Sequence, residues 1–227
     1  MRILTVSDKV EPVLYGPYIR QRVGVIDLIL ACGDLPYYYL EFIVSSLDAP
    51  MYYVHGNHDL PASQGSKSDL GADDVPVGWA TDLHMRTVEF RGLLLAGLEG
   101  CRRYTAGTPY QYTEREVSRQ AFWLGWALRR NRFRYGRPLD VLITHSPPYS
   151  IHDAKDVAHT GFYTYLALLR HFRPILMVHG HYHVYNRNIA MDSDYEGVHI
   201  VNTYGYRIIE LARLPGDRGW ELVSTTL

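Results

Sequence analysis

The sequence predicts an α/β fold: alternating strands and helices, extended by antiparallel strands. Three observations carry this reading. Short, continuously apolar runs such as "DLILAC" and "PMYYV" have the character of strands covered on both faces. Helical stretches separate such runs through the first two thirds of the chain. After His183 the helices cease and only strand-type segments follow.

The elements follow in order. "RILTVS" opens as a strand, and "GPYIRQRVGV" suits a short helix with Pro17 near its start. "DLILAC" is a strand, "PYYYLEFIVSSL" a helix with Pro36 near its first turn, and "PMYYV" a buried strand. Pro61 to Trp79 is rich in Ser, Gly, Asp and Pro and reads as a long surface loop. "RTVEFRGLLLAGLEG" predicts two strands with a tight turn at Gly92. "TEREVSRQAFWLGWALRRNRF" is the clearest helix: Thr113 and Glu116 are placed for a capping box, and Arg129 and Arg130 lie near the negative end of its dipole. "LDVLIT", "GFYTYLALLRHF" and "PILMVHG" give strand, helix and strand, and the tail supplies "VYNRNIAM", "GVHIVNT", "YRIIELA" and "WELVST" as strands. No linker divides the chain, so residues 1–227 are expected to form a single domain.

Composition narrows the function classes. Hydrophobic residues make up 47% of the 227, enough for a sizeable core. A formal net charge of −1 gives no general electrostatic reason to expect nucleic acid or an anionic membrane as partner, although it does not exclude a local basic patch. No apolar run reaches the length of a membrane span. No membrane partner and no strong nucleic-acid interaction are therefore expected, and the sequence does not specify an oligomeric state. Cys32 and Cys101 form no disulfide framework and no cysteine metal knuckle. "MRILTVSDKV" is too quickly charged for a secretory signal, so a reducing cytoplasm is the expected location. The clustered tyrosines, Tyr37 to Tyr39 and Tyr52 with Tyr53, read as partly buried packing.

Chemistry concentrates at the ends of strands. In "ILMVHGHYHVYN", His179, His181 and His183 fall on alternate positions around a glycine, and imidazole is the commonest metal ligand. Asp8 ends the first strand, Gly33-Asp34 the second and "GNHD", Gly56 to Asp59, the third. His145 in "THSPP" ends a later strand, and "GHYH" ends the next. Sites in open α/β sheets form at such carboxyl ends. Imidazole, carboxylate and an amide oxygen suit Mn, Fe, Zn, Co or Ni better than Mg or Ca alone. The ligands are too many for one tetrahedral zinc with an open position, so two divalent ions bridged by a carboxylate such as Asp34 are the simpler reading.

Taken in order, Asp8, "GD" at Asp34, "GNHD", His145 and "GHxH" at His181 and His183 resemble the calcineurin-like metallophosphoesterase family across most of the chain. The resemblance implies a β-sandwich flanked by helices in four layers, α/β/β/α. By position it implies Asp8, Asp34 and His183 on one metal, and Asp34, Asn57, His145 and His181 on the second. It implies that His58 is the catalytic histidine, neutralising a phosphoryl oxygen or protonating the leaving group. Asp59 is then expected to orient His58 through a carboxylate–imidazole hydrogen bond. His179 has no ligand role in the pattern and reads as a packed strand residue.

The chain departs from the family at its first motif, normally Asp-x-His. Here Asp8 is followed by Lys9 and Val10, and valine binds no metal. Three readings follow: Glu11 replaces the imidazole, water or substrate fills the position in a weaker first site, or Lys9 supplies positive charge beside one firmly held metal. The favoured expectation is a weakened first site with Glu11 as the substitute. Further candidates for metal or substrate contacts are His152 and His159, with Asp153 and Asp156 either supporting them or capping a helix beginning near Thr160. Arg102 and Arg103 are read as surface charge ahead of phosphate clamps, and Asn202 to Gly205 as a stretch facing the cleft. The function expected is metal-dependent hydrolysis of a phosphoester, monoester or diester. The alternative is a non-catalytic or weakly catalytic protein-binding scaffold on the same fold, of which the retromer-coat subunit is a family example.

Overall fold

The computed structural model describes residues 1–59, 80–185, 191–216 and 219–226. Two six-stranded sheets lie at its centre. The first has strand order β14-β13-β1-β2-β3-β4, built from β1 (Arg2–Ser7), β2 (Leu28–Ala31), β3 (Met51–Tyr53), β4 (Ala80–Asp82), β13 (Gly205–Arg213) and β14 (Trp220–Thr226). The second has order β11-β12-β10-β9-β6-β5, from β5 (Thr87–Phe90), β6 (Leu93–Leu98), β9 (Val141–Thr144), β10 (Leu176–His179), β11 (Asp192–Tyr195) and β12 (Val198–Asn202). A small parallel pair, β7 (Cys101–Arg102) and β8 (Gln111–Tyr112), stands apart.

Alternation along the strands sorts side chains into three apolar layers. From β1, Ile3 enters the layer between the sheets, with Leu28 and Leu30 meeting Leu95, Ile143 and Val178. Leu4 and Val6 point the other way, under α1 (Ile19–Val23) and α2 (Tyr37–Leu47). On the far side, α3 (Glu114–Tyr135) and α4 (Tyr163–Phe172) cover Ala96, Leu142, Met177 and Ile200. The result is the four-layer α/β/β/α sandwich expected from the sequence.

Local signals explain most boundaries. Pro36 N-caps α2. Thr113 and Glu116 form a reciprocal capping box at α3, and Gly136 closes that helix in the left-handed conformation. The helix runs one turn beyond Arg129 and Arg130, so Arg132 and Arg134 occupy its last turn. α4 differs from expectation. It begins at Tyr163 without a cap of its own, and the carboxylate of Glu114 on α3 accepts the backbone N–H groups of Tyr163 (3.2 Å) and Thr164 (2.7 Å). Asp153 and Asp156 instead fold the preceding loop on itself through Ser150, Gly161 and His159.

The edge strands β4, β7, β8 and β11 carry little apolar pattern, and the sequence does not predict them. The loop read from Pro61 to Trp79 lies outside the described residues, as does most of the strand read at "VYNRNIAM". Among the described residues no helix is long and apolar enough to cross a membrane.

Candidate metal centre

β1, β2, β3, β9 and β10 end on one rim, and each hands a polar residue to it. Asp8 and Asp34 leave their strands in the left-handed conformation, with φ of 61° and 57°, which turns each carboxylate back over the sheet end. Three glycines are required by close approach. A Cβ at Gly56 would run into Asp34, one at Gly180 into Ser7 and Asp8, and one at Gly33 into the Gly56 backbone and the His145 ring.

One half of the rim is a buried cluster. The Nε2 of His145 lies 3.0 Å from Asn57 Oδ1, 3.1 Å from His181 Nδ1 and 3.4 Å from Asp34 Oδ2. Both rings are oriented from behind. His145 Nδ1 donates to the Cys32 carbonyl at 2.7 Å, and His181 Nε2 donates to the Ala158 carbonyl at 2.7 Å. This fixes the tautomers, leaving Nε2 of His145 and Nδ1 of His181 facing the cluster. One nitrogen therefore faces three acceptors, an arrangement that a divalent cation satisfies better than a single proton. Asp34, His145 and His181 form a convergent ligand group with donor atoms within 4.8 Å of one another.

Electrostatics keep Asp34 and His181 in ligating form, whereas His145 must shed its Nε2 proton to an arriving ion. Burial would raise Asp34, but the His145 imidazole and the His58 N–H (2.8 Å from Oδ1) prevail and hold it at about 2. Burial opposes a charge on His145, yet Asp34 and Asp8 push it up to about 9. Burial, then repulsion from His145, lowers His181 to about 3, keeping its imidazole neutral and able to coordinate.

The other half is thinner. Asp8 accepts the His181 backbone N–H at 3.0 and 2.9 Å and the Ser7 hydroxyl, and its Oδ1 lies 3.5 Å from His183 Nε2. The hydrogen bond to Asp8 raises the His183 pKa. His183 is partly open to solvent, with its ring against Tyr204 and its Nδ1 3.0 Å from the Tyr185 hydroxyl. Val10 is partly buried and packs against the apolar layer under α1 and α2. Glu11 is held by Lys9 at 2.8 Å and lies outside the convergent ligand group, so its carboxylate and the Lys9 ammonium neutralise each other.

The remaining candidates divide. The His58 side chain is exposed beside Asp34. Asp59 does not hold it as expected. Its Oδ2 accepts the N–H groups of Gly56 (2.7 Å) and Asp34 (3.2 Å), because those turn donors need a partner and lie closer. Burial, then repulsion from Asp34, raises Asp59 to about 6. His159 reaches the rim, its ring 5.0 Å from that of His181. His152 does not: it bonds His179 (3.1 Å) and Ser193 (2.8 Å), and His179 is the packed strand residue expected. Arg102 is bound to Glu114 and the Gly161 carbonyl, and Arg103 to Glu116 and the Gln111 carbonyl; both tie β7 and β8 to α3. Asn202 anchors the histidine loop by donating to the Tyr182 carbonyl at 2.9 Å, and Tyr204 brings "NTYG" to His183.

Sequence reasoning missed Ser7, the Cys32 and Ala158 carbonyls, and Tyr104, whose hydroxyl accepts from Asn57 Nδ2 at 3.2 Å. Of these, only Ser7, adjacent to Asp8, had a signal in the sequence.

No curated protein matches the sequence. Among solved structures, TT1561 of Thermus thermophilus is 15% identical, with 98% of each chain covered and a TM-score of 0.57, which shows a shared fold. A novel archaeal phosphodiesterase is 14% identical over 98% of this chain and 99% of its own, at a TM-score of 0.41. Vps29 from Entamoeba histolytica (D62A variant) is 12% identical over 98% of each chain, at 0.44. The calcineurin-like phosphoesterase family model matches residues 17–185, and with the strand-end ligands converging on one rim, the chain belongs to that family.

Proposed function

We propose that this protein hydrolyses phosphoesters at a two-metal centre, with residues 1–227 acting as one unit. The observation that carries the proposal is the buried cluster in which His145 Nε2 faces Asn57, His181 and Asp34, with both imidazole tautomers held by backbone carbonyls. Asn57, His145, His181 and Asp34 would hold one ion, and Asp34, Asp8 and His183 the other. The chemistry such an ion (Mn, Fe, Zn, Co or Ni) would supply there is a lowered water pKa and neutralised phosphoryl charge.

The chain's own residues do the rest. The His58 backbone N–H donates to Asp34 Oδ1 and its side chain is exposed, so its imidazole would be the group to meet the phosphoryl oxygen or leaving group. Asp59 ties the "GNHD" turn to Asp34 through two backbone N–H groups, so His58 is positioned by the turn and not by a side-chain partner. His159 flanks His181 on the substrate side.

The test is a hydrolysis panel comparing a phosphomonoester with a phosphodiester under added Mn, Zn, Fe, Co and Ni, run alongside metal analysis. Metal-dependent turnover of either ester is the expected result. Failure to take up any metal would reject the reading. A second reading, a non-catalytic or weakly catalytic protein-binding scaffold, is favoured by one observation, the replacement of the Asp-x-His imidazole by Val10, which packs against the apolar layer. Bound metal without turnover on either ester would select it.

A further inference from the structure

α3 has two faces of opposite purpose. Val117, Ala121, Leu124, Leu128 and Asn131 are buried against the second sheet. On the opposite side Phe122, Trp123, Trp126 and Phe133 are all exposed, the two tryptophans at 59% and Phe133 at 95%. At ~100° per residue these four fall within an arc of about 100°, a single stripe along the helix. Large aromatics are normally covered; here Phe122 meets Trp123 and Trp126 edge-on at 5.5 and 6.4 Å, and Phe133 continues the same stripe about two turns further along.

The charges along the stripe are one-sided. Beyond Glu116 the helix carries five arginines, Arg119, Arg129, Arg130, Arg132 and Arg134, and no acidic residue. Its two carboxylates lie at the first turn and are already paired, Glu114 with Arg102 and Glu116 with Arg103. None of the five arginines is in an ion pair among the described residues. Arg129 lies over the Trp126 ring at 5.8 Å. The chain as a whole has a net charge of −1, so this positive field is local.

We propose that the outer face of α3 docks on an anionic phospholipid bilayer surface. Aromatic side chains seated at the headgroup level, flanked by arginines that meet anionic headgroups, are the chemistry of an interfacial helix lying on a membrane without spanning it. A second copy of the chain is disfavoured, because a two-fold contact would oppose the same arginines. Nucleic acid is disfavoured because the stripe lies on a convex helix, whereas stacking platforms line grooves. This adds a peripheral contact that the overall charge did not suggest.

The experiment is co-sedimentation of the full chain with vesicles of neutral phosphatidylcholine and with vesicles containing an equimolar share of phosphatidylglycerol, at low and physiological salt. Tryptophan emission and its quenching by brominated lipid are followed in parallel. Binding should be at least about tenfold tighter to the anionic vesicles and weaken with salt, with a blue-shifted, quenchable emission. Trp123→Ser with Trp126→Ser, and separately Arg129→Gln with Arg130→Gln, should each lower binding about tenfold or more. Phe133→Ser, at a position with almost no contacts to lose, repeats the test with little risk to folding, and circular dichroism checks every variant. Absence of binding, equal binding to neutral vesicles, or wild-type binding by the folded variants would overturn the proposal. So would self-association abolished by the tryptophan variant, or tighter binding to a single-stranded oligonucleotide than to vesicles.

Discussion

The two halves of the candidate metal centre are built to different standards. Around His145 the amide and imidazole donors are buried, and both rings are oriented by a carbonyl behind them. Around His183 the imidazole is partly exposed, leans on Tyr204 and Tyr185, and shares Asp8 with two backbone contacts and Ser7. A ligand whose tautomer and orientation are set in advance loses little freedom when an ion arrives, whereas a half-exposed ring must be ordered at that moment. The difference predicts unequal affinities: tight where the shell is complete, weak where Val10 stands in place of the imidazole.

The largest effect is expected at the residue the halves share. Asp34→Asn should lower turnover by roughly 10⁴-fold and deplete both ions, since one carboxylate serves each. Metal analysis showing two full sites in this variant would break the comparison at its root. His58 belongs to neither half. His58→Ala should leave metal content and folding intact while turnover falls about 10²–10⁴-fold, and unchanged turnover would remove it from the mechanism.

The contrast itself is sharpened by paired variants. His145→Ala should empty the buried half, with affinity reduced on the order of 100-fold, while His183→Ala should lower only the weaker site, about 10-fold. Titration with Mn or Zn followed by calorimetry reads both, and equal losses would mean that the halves are equivalent. The smallest effects are expected in the altered first motif. Because Val10 packs under α1 and α2, Val10→His should fail to tighten the first metal and cost about 1 kcal/mol of stability. Because Glu11 is engaged by Lys9, Glu11→Gln should change first-metal affinity less than about 3-fold. A tenfold loss in Glu11→Gln would restore Glu11 as the substitute ligand.

That Asp8, Asp34, Asn57, His145, His181 and His183 would gather on one rim was legible, because each lies within four residues of a strand's carboxyl end and neighbouring parallel strands end on the same side. The Thr113–Glu116 capping box was legible because its partners are three residues apart. His152 was not, because its partners, His179 and Ser193, come from distant strands. Asp59 misled because a histidine neighbour in sequence suggested a partner, while the turn's own N–H groups were nearer in space.

By itself the sequence determined the alternation of elements, the order of the polar residues at strand ends and the family to which they point, since these depend on periodicity and on residues adjacent along the chain. Only the tertiary structure decided which side chains converge on the rim. The packing of Val10 under α1 and α2, the Lys9–Glu11 pair, the carbonyls of Cys32 and Ala158 behind the two histidines, and the capping of α4 by a carboxylate of α3 all bring together groups with no periodic relation in sequence. The same holds for the aromatic stripe of α3. Its residues are visible in the chain, but their exposure follows from which helix face the second sheet covers. Burial is a property of packing, and packing is settled only when the layers meet.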